Sequence, residues 1–183
     1  MRRLPEKLNR AAQAALTSNY VSMSDLHWDE VKKFFDPDLM GALPDLYIRD
    51  TTAEDWQKVF DLVRDRGWEW KFQQGFAERP LPTAAEALNR PTDADTVELR
   101  VWPAPGVLAI VRPWSATEIN FDIDLRELQG QQGVDTLCRF LRDLGRELGK
   151  SVTVTPEGGS PERAVLGYDL ASDRVLLLAD PAL

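Results

Sequence analysis

The clearest pattern along the chain is strict alternation from Glu118 to Leu125. Ile119, Phe121, Ile123 and Leu125 fall on one side, and Glu118, Asn120, Asp122 and Asp124 on the other. A period of two predicts a strand with one buried face over Glu118–Leu125. Thr96–Trp102 repeats the pattern with Val97, Leu99 and Val101, and Trp68–Gln73 repeats it again. Val107–Arg112 is apolar at nearly every position and reads as a central strand. Short connections at Pro103–Gly106 and Pro113–Thr117 predict antiparallel pairing of these neighbours. Leu46–Ile48, Ser151–Thr155, Ala164–Tyr168 and Arg174–Leu178 supply further strands, the last two as a hairpin turned by Asp169–Asp173.

Two segments change period. Trp56, Val59, Phe60 and Val63 share one helical face behind Thr51-Thr52-Ala53-Glu54, where Thr51 and Glu54 have capping-box spacing. Gly67 suits the end of that helix. Val134, Leu137, Cys138, Leu141, Leu144 and Leu148 form the stripe of a longer helix over about 134–148, entered after Gly133 and stopped at Gly149. Gly75–Asp95, with Pro80, Pro82 and Pro91, reads as a surface excursion holding a short helix near Ala84–Asn89.

Residues 1–43 read as a helical N-terminal appendage. One helix is expected over about 5–17. A short apolar face follows at Trp28, Val31, Phe34 and Phe35, capped by Ser24 or Asp25 and ended by Asp36-Pro37-Asp38. Residues 44–183 then form an α+β domain. The expected architecture is an antiparallel sheet covered on one face by two main helices.

Charge narrows the partners. The chain has 22 basic and 30 acidic residues, a formal charge of −8. That balance disfavours nucleic acid and anionic membrane surfaces, and it suits a basic protein partner. A single cysteine excludes an intrachain disulfide and a cysteine-rich zinc site, and fits a reducing, cytoplasmic compartment. No run of about 18 apolar residues marks a membrane span.

Chemistry narrows further. There is no phosphate loop of the GxxxxGK[ST] type, no GxGxxG, no GxSxG elbow and no HExxH helix. The only histidine, His27, lies in the appendage. Cys138 falls on the apolar stripe of the long helix, where a free thiol behaves as a small hydrophobe. No cofactor and no metal are expected. The Gly158-Gly159 loop after a strand is a weak anion-binding signal, since it lacks a lysine and a following helix.

One surface remains. Glu118, Asn120, Asp122 and Asp124 recur roughly every 6.8 Å along one strand face. The neighbouring strand contributes Glu98 and Arg100, and Trp102 and Trp114 stand at strand ends beside prolines. Three readings stand. The face is a contact surface for another protein, or it is simply solvated. Alternatively, Asp122 and Asp124 ligate a hard cation, with Glu118 as base in a metal-dependent hydrolase. A structural subunit that uses residues 1–43 as an arm is a further alternative.

The segments EINFDIDLRELQG (Glu118–Gly130), FLRDLGRELG (Phe140–Gly149) and VTVTPEG (Val152–Gly158) resemble bacterial proteins, chiefly of actinobacterial type, with no established activity. FDPDLMGALPDLY (Phe35–Tyr47) and DWQKVFDLV (Asp55–Val63) are similar to them too. The resemblance spans most of the chain and carries over no catalytic residue. Small acidic α+β proteins also look like the immunity proteins that neutralise bacterial toxins, a likeness of class alone.

Overall fold

The computed structural model describes residues 25–91 and 93–179. The helix expected over 5–17 lies outside them. The described chain is an α+β structure built on a nine-stranded antiparallel sheet. Its strands are β1 (Asp45–Arg49), β2 (Glu69–Gln74), β3 (Ala77–Arg79), β4 (Val97–Ala104), β5 (Val107–Val111), β6 (Glu118–Ile123), β7 (Val152–Thr155), β8 (Leu166–Asp169) and β9 (Arg174–Leu177). Their order is β3-β2-β4-β5-β6-β1-β7-β8-β9. The helices are α1 (Trp28–Val31), α2 (Pro37–Met40), α3 (Ala53–Asp65), α4 (Ala84–Leu88) and α5 (Gly130–Leu148).

The alternation seen in the sequence becomes burial. Ile119, Phe121 and Ile123 of β6 are buried, as are Val97, Leu99 and Val101 of β4 and Val107, Ala109 and Val111 of β5. The residues between them are only part-buried. From α5, Phe140 packs edge-on against Phe121 at 5.5 Å between ring centroids, and Trp68 meets the same ring at 5.5 Å. Arg66, at the end of α3, reaches Asp143 of α5 at 2.8 Å.

Several boundaries differ from the sequence pattern. β6 stops at Ile123, because Asp124 caps a 3₁₀ turn over Leu125–Glu127 by accepting from Arg126 N. Leu125 is still buried, but from that turn. The capping box at α3 is Thr52 with Asp55, one residue beyond the expected pair. α5 starts at Gly130, so Gly133 lies inside the helix. A Cβ at position 133 would stand 2.1 Å from the Leu128 carbonyl, so only glycine permits that close pass. The Gly75–Asp95 excursion contains β3 as well as the expected short helix.

Residues 25–40 join the same core, through Leu26, Val31, Phe34, Phe35 and Met40. Ser24 lies outside the described residues, and Asp25 does not cap α1. The N-cap is His27, which makes no side-chain bond there. Asp25 instead accepts from Val175 N at 2.8 Å and from Arg142 at 2.7 Å. Gln129 donates to the carbonyls of Phe35 and Leu125, fastening this segment to the start of α5. Asp36 caps α2, so Asp36-Pro37 opens a new helical turn as well as closing the one before it.

Candidate functional site

The polar positions of β6 join a wider solvent-facing row only because of the strand order. Long-range pairing puts β1 beside β6, with Asp45 opposite Asp122, Tyr47 opposite Asn120 and Arg49 opposite Glu118. On the other side Ile110 of β5 is opposite Asp122, and Arg100 of β4 is opposite Ile110. Residues 77 positions apart in the chain thus become neighbours across one face.

An ion-pair network occupies the middle of this face. Arg112, just beyond β5, donates to Asp122 Oδ2 at 2.6 Å and to Glu98 Oε2 at 3.3 Å. Arg100 Nε donates to Glu98 Oε1 at 2.6 Å. Two guanidiniums therefore neutralise two carboxylates, and Glu98 and Asp122 are held within the sheet. Asp124 lies off the row. Its carboxylate is clamped by its own neighbour Arg126, through Nε at 2.8 Å and Nη2 at 2.6 Å. Arg126 holds the Asp124 carboxyl below its ordinary pKa. Among the described residues, no group of three or more His, Cys, Asp or Glu side chains is placed to hold a metal ion.

Next to the network lies a hollow of about 160 Å³, lined by Arg112, Trp114, Ser115, Glu118, Asn120 and Asp122. Trp114 is 66% exposed, yet its loop is anchored. Trp56 Nε1 donates to Ser115 O at 2.8 Å, Thr51 Oγ1 to Ala116 O at 2.8 Å, and Thr51 N to Thr117 O at 3.1 Å. The indole is thus an outward-facing aromatic on a fixed backbone. Trp102, by contrast, is part-buried within β4, opposite Glu69.

Asn120 Nδ2 donates to Asp45 Oδ1 at 3.2 Å, while Asn120 Oδ1 is buried and has no donor. Asp45 also accepts from Gly158 N at 2.9 Å. Burial pushes the Asp45 carboxyl above its ordinary pKa, against the pull of those two donors. Burial also raises Tyr47, helped by the charges of Asp45 and Glu118. Glu118 forms no ion pair among the described residues, because Arg49 opposite it turns to Glu162 at 3.3 Å.

Other sequence candidates fall elsewhere. His27 is exposed beside α1. Cys138 is buried and takes part in no disulfide among the described residues. The Gly158-Gly159 loop spends its amides internally, on Asp45 Oδ2 and Pro156 O, so it offers no anion nest. Arg112, Ser115, Asp45 and Tyr47 were missed. Arg112 had a signal, as the lone charge ending an apolar strand; Asp45 and Tyr47 had none, since the β1–β6 pairing is non-local.

Among the described residues no helix is long and apolar enough to cross a membrane. Compared with protein-family models, characterised proteins and solved structures, the chain matches none.

Proposed function

We propose that this chain is a non-enzymatic binding protein that presents the solvent side of its sheet to a protein partner, with the two long helices packed on the opposite side. An immunity-type role, neutralising a basic toxin inside a reducing compartment, is the form of that activity which a charge of −8 and a single buried thiol suit. The observation that carries the reading is Trp114, an indole 66% exposed on a backbone pinned by three hydrogen bonds. An aromatic on an anchored loop adds little loop-ordering cost on docking, and tryptophan is enriched among binding hot spots. The carboxylates beside it support binding over catalysis, since Glu98 and Asp122 are tied to arginines and Asp124 to Arg126.

The test uses the full chain as bait, with the captured protein repurified and titrated against wild type, Trp114→Ala and Phe76→Ala. Phe76 is an exposed aromatic on the β2–β3 turn, outside the residues that line the hollow. Trp114→Ala is expected to weaken binding about tenfold, roughly 1.4 kcal/mol, while Phe76→Ala leaves it unchanged. Equal affinity for wild type and Trp114→Ala would reject this face.

A further inference from the structure

The hollow beside Trp114 has a specific chemical deficit. Glu118 contributes a carboxylate with no ion pair among the described residues. Asn120 lines the floor, its NH2 group held by Asp45 and its carbonyl oxygen buried beneath the surface, so it is not an acceptor for anything that enters. Asp122 uses Oδ2 for Arg112 and keeps Oδ1 without a hydrogen bond among the described residues. Trp114 supplies an open aromatic face at the rim. Both carboxylates keep an oxygen open to a donor, and the indole favours a cation over its ring.

Other occupants fit less well. An anion meets Glu118 and Asp122, and the one lining cation, Arg112, is already shared between Asp122 and Glu98. A bare metal ion lacks a set of converging ligands here and makes no use of the indole. A purely apolar group leaves the acceptors unsatisfied, a penalty of about 1–3 kcal/mol for each buried one. The volume, about 160 Å³, is close to that of cavities that admit a benzene ring, on the order of 150 Å³. A planar guanidinium with its neighbouring methylenes is of similar size.

We infer that this hollow receives a cationic side chain, a guanidinium or an ammonium, from a basic protein partner, stacked on Trp114 and donating to Glu118 and Asp122 Oδ1. The inference rests on the reading of the open face as a partner surface. The formal charge of −8 supplies the complementarity that draws a basic partner to it.

Nuclear magnetic resonance on the full-length chain tests this with N-acetyl-arginine amide, N-acetyl-lysine amide and the neutral isostere N-acetyl-citrulline amide. The arginine probe is expected to shift the Trp114 indole and the Glu118 and Asn120 amides saturably, with Kd on the order of 1 mM. The lysine probe should act at the same signals and citrulline at none. Added salt should weaken the effect. Glu118→Gln, a partly exposed position that keeps the fold, should raise Kd roughly two- to fivefold, and Trp114→Ala by a similar factor. Equal shifts with citrulline, or an unchanged Kd in Glu118→Gln, overturns the cation site. If that happens while partner capture still depends on Trp114, the face reading survives alone. If the probes bind but capture is indifferent to Trp114→Ala, the face reading falls, and with it the assignment of the cation to a partner side chain.

Discussion

Asp173 turns the β8–β9 hairpin in a left-handed conformation, φ 54°, which aspartate tolerates better than most residues. Its carboxylate accepts from Arg146 Nε at 2.7 Å and from Tyr168 Oη at 2.8 Å, tying the hairpin to α5. The Arg146 guanidinium, then the Tyr168 hydroxyl, pulls its pKa from 3.8 to about 2. A depressed folded-state pKa stabilises the protein above the unfolded value, and that contribution is lost as pH falls through the folded value. Unfolding midpoints measured from about pH 5 down to about pH 2 should therefore fall with acid. Asp173→Asn, which keeps the turn conformation, should lose less over the same window. At this scale the sequence marked the turn at Asp169–Asp173, but not the partner, since Arg146 lies 27 residues away.

The elements follow local chemistry closely, and the exceptions have tertiary causes. Gly149, φ 62°, closes α5, and Gly67, φ 67°, follows α3, as the periodicity implied. Gly133 was read as the residue before the long helix, yet it lies within it because Leu128 passes against its backbone. Two substitutions separate these roles. Gly133→Ala drives a Cβ to 2.1 Å from the Leu128 carbonyl and should destabilise by about 1–3 kcal/mol or more. Gly106→Ala, in the β4–β5 turn at φ 78°, meets nothing within 4 Å and should cost only the left-handed strain, about 1–2 kcal/mol. Urea midpoints of the two variants check the ranking. β4 likewise runs on through Pro103 where the turn was expected to begin, and its register with β5 shifts between Val101 and Ala104. A proline within a strand is accommodated at such an irregularity.

At the scale of the whole molecule, residues 25–40 are fastened to distant elements. Asp25 alone joins Arg142 of α5, Arg174 of β9 and the Val175 amide. Burial opposes its ionisation, but those donors prevail and lower its pKa. Removing the carboxylate leaves the Val175 N–H and Arg142 without that partner. Asp25→Ala should therefore cost about 1–3 kcal/mol. Circular dichroism and tryptophan fluorescence should report one shared, lowered urea transition, because the segment shares its core with the sheet. Divergent transitions for the two probes would show that the segment unfolds by itself.

The period-two and helical patterns determined by themselves that this chain is α+β with an antiparallel sheet, and which side chains of β4 and β6 face inward. Those properties depend on near neighbours in sequence, where pleat and helical repeat dictate which residues share a face. The order of the strands was decided only by tertiary structure, because pairing β1 between β6 and β7 joins residues 69–110 positions apart, which no local period records. The same pairing decided the site. It set Asp45 and Tyr47 beside Asn120 and Arg49 opposite Glu118, while the β4–β5–β6 pairing let Arg112 neutralise Glu98 and Asp122; Glu118, the first residue of the alternating strand, is left as the carboxylate still open to a partner.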